Sequence, residues 1–173
     1  YSCELKFDGV SVSLTYQNGS LIQALTRGDG TQGDAITTNV KTIHTIPLKL
    51  IGDYPPFFEI RGEVIMPWKG FNKMNEERAL RGEPLYMNPR NTASGSLKLQ
   101  DSSLVAKRPL KCFLYALAGD QLPVHSQYEA LEKSRSWGFM VPESAKLVTN
   151  IDDVFEFIRF WDEKRKYLPY EID

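Results

Sequence analysis

The opening segment Cys3-Glu4-Leu5-Lys6-Phe7-Asp8-Gly9 constrains this chain most, because apolar and charged side chains alternate in it without a break. Side chains of an extended segment point to opposite faces in turn, so a strand here sets Glu4, Lys6 and Asp8 on one face and turns Cys3, Leu5 and Phe7 toward a core. Val10 to Tyr16 continues the alternation, Asn18-Gly19 is a strong hairpin-turn signal, and Leu21 to Leu25 resumes the extended pattern. The chain is expected to begin with antiparallel pairing, the lysine segment feeding straight into a hairpin.

Arg27-Gly28-Asp29-Gly30-Thr31-Gln32-Gly33-Asp34 follows, and its three glycines open backbone angles closed to other residues and expose amide donors. Ile36, Val40 and Ile43 recur at helical spacing, with Asp34 as the expected cap. Phe57 to Met66 reads as a strand carrying Arg61-Gly62-Glu63. Pro67 then opens a helix through Ala79, with Phe71, Met74 and Leu80 as its apolar positions and Gly82 as its terminator. Asn88 to Ser96 is small and polar, a shaped loop or short helix, and Leu110 to Leu117 is a further strand. Two amphipathic helices are expected from about Gln127 to Trp137 and from about Asp152 to Lys166, the second with Val154, Phe155, Ile158 and Trp161 as an apolar stripe. Strands and helices mix without regular alternation, so the expected class is α+β, with antiparallel sheets flanked by helices.

At 173 residues with 42% hydrophobic and 25% charged content, the chain fits one soluble globular domain and requires no second core. Its net charge of −1 lacks the basic excess of a self-sufficient nucleic-acid binder, so any DNA contact is local or shared with other modules. Cys3 and Cys112 have no metal-site spacing and read as reduced core thiols. No apolar run approaches the ~20 residues of a membrane span and no leader precedes the first strand, so a cytoplasmic protein is expected. Tyr1 starts directly on a strand and Asp173 follows Leu168-Pro169-Tyr170 with no polar tail, so an excised piece of a larger polypeptide is expected.

A primary amine between two carboxylates and followed by a glycine is an arrangement that can make a lysine a nucleophile toward phosphorus. The plainer reading is the solvated face of a hairpin strand, since Lys-x-Asp-Gly alone arises by chance in roughly a few per cent of chains this long. The accompanying ordered set changes the balance: Glu4-x-Lys6-x-Asp8-Gly9, Thr26-Arg27-Gly28-Asp29-Gly30, Arg61-Gly62-Glu63-Val64, Asn88-Pro89-Arg90-Asn91, Gly95-Ser96-Leu97 and Ala106-Lys107-Arg108-Pro109-Leu110. With these motifs in this order, the chain from Cys3 to Asp173 resembles the nucleotidyltransferase (adenylation) domain of the bacterial NAD+-dependent DNA ligases. The resemblance implies that domain's ATP-grasp-like nucleotidyltransferase fold, truncated at both ends, filling residues 1–173 with no second domain.

It also implies roles. Lys6 corresponds to the family's adenylated lysine, whose amine attacks the α-phosphorus of NAD+, expels nicotinamide mononucleotide and keeps AMP through a P–N bond. An amine attacks only when neutral. At the reference pKa near 10.4, about one lysine in a few thousand is neutral at pH 7, so such a site must lower that value or remove the proton on approach. Arginines and a metal cation push that way, and carboxylates push the other way. The implied roles of Glu4 and Asp8 are therefore adenine recognition and, for Asp8 as the second catalytic position, a hydrogen bond to the ribose or the attacking amine.

Gly9 would let the chain pass close to the nucleotide. Arg27 and Glu63 match nucleotide-contacting positions, Glu63 through ribose hydroxyls or metal-bound water. Arg90 matches an arginine that acts near the phosphates, where a guanidinium fork suits the oxygens. Lys98 stands where the family often carries another arginine and keeps the charge without the fork. Tyr115 matches an aromatic ring against adenine, its plainer reading being a strand aromatic in the core. Arg165 and Asp173 match an arginine and the aspartate of the family's next motif. No residue is singled out as a metal ligand, and His44 and His125 match nothing.

Mg2+ is implied, to neutralise phosphate charge under attack, and zinc is expected only in a downstream part of the parent that this chain lacks. The implied partners are NAD+ or AMP and, for the full-length parent, nicked duplex DNA in replication and repair. No membrane partner is expected, and the chain is expected to be monomeric and, by itself, inactive or only nucleotide-binding. Open alternatives are an ATP-dependent ligase or RNA-capping enzyme, against which Arg61-Gly62-Glu63 and Asn88 to Leu97 argue, a non-covalent adenine-nucleotide-binding module, and a structural domain with no nucleotide site.

Overall fold

A computed structural model describes residues 1–28, 33–120 and 122–173. The alternation of the opening segment survives without a continuous strand. Ser2–Cys3 (β1) pairs with Lys146–Leu147, whereas Phe7 bridges Ile172, the Asp8 amide donates to the Glu171 carbonyl and the Asp173 amide donates to the Lys6 carbonyl. The ladder partner thus changes between Cys3 and Lys6, and Glu4 and Leu5 fall in the gap. The faces still segregate: Cys3, Leu5 and Phe7 are buried, Lys6 is exposed, and Glu4 and Asp8 are half-buried.

Val10–Gln17 (β2) and Ser20–Thr26 (β3) form the expected hairpin, closed by Asn18 and Gly19 at φ 47° and 74°, the pair of positive angles that a two-residue turn matching strand twist requires. Thr37–Val40 (α1) is a single turn. Ile36, Val40 and Ile43 are buried as their spacing requires. Asp34 is not its cap: Asp34 and Thr26 exchange backbone and side-chain hydrogen bonds at the edge of β3, and the Asp34 carboxylate pairs with Lys98.

Phe57–Ile65 (β4) runs into Trp68–Leu80 (α2), which Pro67 opens and Gly82, at φ 68°, terminates. Phe71 is buried and Met74 packs on the core, but Leu80 is 88% exposed. Nine residues of helix rotate Leu80 by half a turn from Phe71, onto the solvent side. Pro89–Leu97 (α3) and Ser102–Ala106 (α4) precede Lys111–Ala118 (β5), and Gln127–Ser136 (α5), Lys146–Leu147 (β6) and Ile151–Lys164 (α6) follow, with a 3-10 turn at Arg165–Tyr167 after them.

The main sheet is antiparallel in the order β3-β2-β4-β5. Its core spans Leu14, Tyr16, Phe58 and Ile60 from the strands and Val40, Phe71, Leu97, Leu131 and Trp137 from around them. A smaller cluster of Leu5, Phe7, Ile65, Phe113 and Ile172 underlies the lysine segment, with the Phe7 and Phe113 rings stacked at 4.5 Å. The expected stripe on α6 divides: Trp161 packs on this cluster together with Phe157, which lies outside the stripe, while Phe155 and Ile158 are 51% and 55% exposed. Cys3 and Cys112 are buried free thiols. Among the described residues, no helix is long and apolar enough to cross a membrane.

Candidate active site

An open cleft of about 780 Å³ lies over the lysine segment. Glu4, Lys6, Asp8, Gly9, Arg27, Glu63, Arg90, Lys98 and Tyr115 all line it, so every candidate position except Arg165 and Asp173 belongs to its wall. Asp29, Gly30, Thr31 and Gln32 of the glycine-rich stretch lie outside the described residues.

Lys6 reaches the cleft because its neighbours are pinned beneath it. Phe7 is buried between Phe113 and Tyr170, and the hydrogen bonds at Lys6 and Asp8 hold the backbone against residues 171–173. The Lys6 ammonium forms an ion pair with the Asp173 carboxylate. Asp173 therefore meets the lysine without lining the cleft itself. Arg165 does neither: its guanidinium donates to the Ile172 carbonyl at 2.7 Å, which steadies the residue before Asp173 instead of facing a ligand.

A glycine just before β2 and one within β4 set the carboxylates. A Cβ on Gly9 would strike the Val64 carbonyl and crowd Glu63, so Gly9 is required by the close approach of the chain to β4, in addition to its place on the cleft wall. Gly62 has the same need against β5, where a Cβ would lie 2.7 Å from the Phe113 carbonyl oxygen. The register between β4 and β5 slips where Arg61 faces Ala116 and Gly62 faces Leu114, so Tyr115 is the extra residue of a bulge in β5, a device that re-aims a side chain, and Tyr115 and Glu63 both line the cleft. Burial raises the Glu63 carboxyl to about 7. Asp8 adds to the rise, while Arg90, Lys6 and a backbone hydrogen bond from Gly9 oppose it.

The cationic wall comes from α3. Asn88 caps this helix by accepting from the Asn91 amide at 2.8 Å, and Pro89 occupies its first turn, where a missing N–H costs nothing. Arg90, Ser94 and Lys98 recur every fourth residue and share the face that lines the cleft. Arg90 donates to Asp8 at 3.0 Å, and Lys98 pairs with Asp34 at 2.9 Å. The buried Asn39 amide donates to the Leu97 and Leu99 carbonyls, satisfying the open end of the same helix.

On the opposite wall, the Tyr115 hydroxyl meets Ser11 Oγ at 3.0 Å, which fixes its ring, and Glu4 accepts from Ser2 Oγ at 2.9 Å. Sequence reasoning passed over Ser11 and Ser94. Ser11 is two residues beyond Gly9 in the alternating pattern, and Ser94 is one helical turn beyond Arg90, so periodicity already placed both. An amine, acceptor carboxylates and fixed cations around one opening suit a ligand with an anionic phosphate portion and a hydrogen-bonding base. Among the described residues, no group of three or more acidic, histidine or cysteine side chains is placed to hold a metal ion.

An antiparallel α+β fold with such a cleft defines, as a class, a nucleotidyltransferase-type adenylation domain. The family model of the NAD-dependent DNA ligase adenylation domain matches residues 1–173, and the chain belongs to that family. Curated proteins named DNA ligase are similar along the same stretch. That of Flavobacterium johnsoniae is 63% identical over 173 residues, that of Phocaeicola vulgatus 54% over 172 and that of Cytophaga hutchinsonii 48% over 174, covering 100%, 99% and 100% of this chain. The chain spans 26% of the length of each of these relatives.

Proposed function

We propose that this chain is the nucleotide-handling part of an NAD+-dependent DNA ligase that seals nicks in duplex DNA during replication and repair. The observation that carries the reading is the meeting of Lys6 with Glu63, Arg90 and Tyr115 in one cleft. The neutral amine of Lys6 attacks the α-phosphorus of NAD+. A P–N bond forms, the pyrophosphate P–O bond breaks, and nicotinamide mononucleotide leaves with the bonding electrons while the amine loses its extra proton to solvent or a neighbouring base. AMP then passes to the 5′-phosphate at a nick, regenerating Lys6, and attack by the 3′-hydroxyl joins the strands and releases AMP.

In this reading Glu4 recognises the adenine edge and Tyr115 stacks against the ring. Asp8, oriented by Arg90, bonds the ribose or the attacking amine. Arg27, Arg90 and Lys98 counter the phosphate charge, and Arg165 acts through Asp173. Mg2+ suits the site although the described residues form no cage for it, because it keeps several of its waters and needs only one or two carboxylates beside a phosphate. Glu63 and Asp8, whose charge adds to the rise of the Glu63 carboxyl, are the carboxylates that would hold it, and it would neutralise charge as phosphorus is attacked.

Incubating the full-length protein with NAD+ or ATP and Mg2+, then locating AMP by peptide mass, tests this directly. An adduct on Lys6 from NAD+ and none after Lys6→Ala is expected. An adduct from ATP alone would reassign the protein to the ATP-dependent ligases. The 173-residue chain by itself is expected to hold adenine nucleotide with little turnover.

A further inference from the structure

We infer that Gln127 is a positioning residue that sets purine selectivity, by fixing the Glu4 carboxylate against the Tyr115 backbone. This rests on the reading of Glu4 as the group that meets the adenine edge. Gln127 is the first residue of α5, and the turn that carries it is locked from both sides. Ser126 Oγ accepts from the Glu129 amide at 3.2 Å, and Glu129 Oε2 accepts from the His125 amide at 2.8 Å. From this base the Gln127 amide nitrogen donates to the Tyr115 carbonyl at 2.6 Å and to both Glu4 oxygens, at 3.1 and 3.2 Å. Its two hydrogens are fully used, one by β5 and one shared across the carboxylate.

Gln127 does not line the cleft, whereas Glu4 and Tyr115 do. One exposed side chain outside the cleft therefore ties together the edge-reading carboxylate and the strand that carries the aromatic ring. Ser2 holds Glu4 Oε1 as well, at 2.9 Å. An ionised carboxylate offers about four lone-pair sites and no donor, so the constrained Glu4 still has capacity at Oε2 for a ligand N–H.

Selectivity follows from the constraint. A 6-amino purine presents a donor to this acceptor, and a 6-oxo purine presents a second acceptor. A loosely held carboxylate would swing aside from the oxo group at little cost. One held by both Gln127 and Ser2 must break those bonds to do so, so more of the mismatch is felt.

The test is titration of the 173-residue chain with AMP and with IMP, followed by NMR. Wild type is expected to favour AMP by about tenfold or more, and Gln127→Ala and Gln127→Glu to bring the two nucleotides within about threefold. Gln127→Lys, which keeps donors for both partners, is expected to recover most of the preference, a result that simple loss of packing would not give. Wild-type selectivity in the Ala and Glu variants, with selectivity lost in Glu4→Ala, would overturn the role of Gln127 and leave that of Glu4 standing. Failure of Gln127→Lys to recover any preference would also overturn it. Unchanged selectivity in Glu4→Ala would overturn the reading of Glu4 and this inference with it, as would the absence of AMP binding to the wild-type chain.

Discussion

Glu63 shows how a single side chain carries both the chemistry and the cost of the cleft. Its carboxyl stands at about 7 against an ordinary 4.5 because burial outweighs the pull of Arg90 and Lys6. Between those two values the folded chain holds a proton that the unfolded chain has released, so this group's contribution to stability declines as pH rises through the window and is level above it. Glu63→Gln removes the titration. In metal-free buffer the variant should gain in Tm over wild type from pH 5 to pH 7, with the gap constant at higher pH. Thermal melts across that range check this, and parallel curves would mean that the carboxylate is well solvated. The residues of the cleft were legible because their spacing and order were legible. The environment of Glu63 was not, since it depends on a register slip between β4 and β5, with Tyr115 of β5 as the extra residue, and on the approach of Gly9, neither of which a linear pattern records.

At the scale of elements, the sequence announced α3 by composition and hid its importance. Asn88-Pro89 is a helix start in chemical terms, yet the stretch is equally readable as a shaped loop, because nothing in it but Leu97 is a large apolar residue. Tertiary contacts make the helix: Ala93 and Leu97 are fully buried, and Asn39 secures its end. Asn88→Ala should cost about 1 kcal/mol of stability, the usual loss for an N-cap. Because Arg90 sits in the first turn, the substitution should also weaken nucleotide binding out of proportion to that loss. Denaturant unfolding and AMP titration on the same sample separate the two effects, and equal AMP affinity would show that the turn keeps its shape without the cap. Asp34 erred in the other direction. A residue type suited to capping was drawn to Thr26 of β3 and to Lys98 instead, partners that local spacing does not reveal, Lys98 being remote in sequence.

For the whole molecule, the hydrophobic pattern gave the main core readily, since the strands and α5 bury the faces their periodicity marks. The second cluster was harder to read, because it is assembled from the first residues, the end of β4, β5 and the last residues, and its extremes are joined by pairing of residues 6–8 with residues 171–173 across the whole length of the sequence. That cluster connects folding to function, since the same contacts that bury Phe7 present Lys6 on the opposite side of the chain. The stripe on α6 divides along this line. Side chains over the cluster contribute packing, while Phe155 and Ile158 meet water and contribute little. Phe7→Ala should therefore destabilise by about 3–5 kcal/mol, whereas Phe155→Ala should stay within about 0.5 kcal/mol, as exposed substitutions do. Urea unfolding of both variants checks the contrast. If Phe155→Ala proved as costly as Phe7→Ala, α6 would be packed in solution on a surface of its own, and the lysine segment would owe less to the aromatic cluster beneath it.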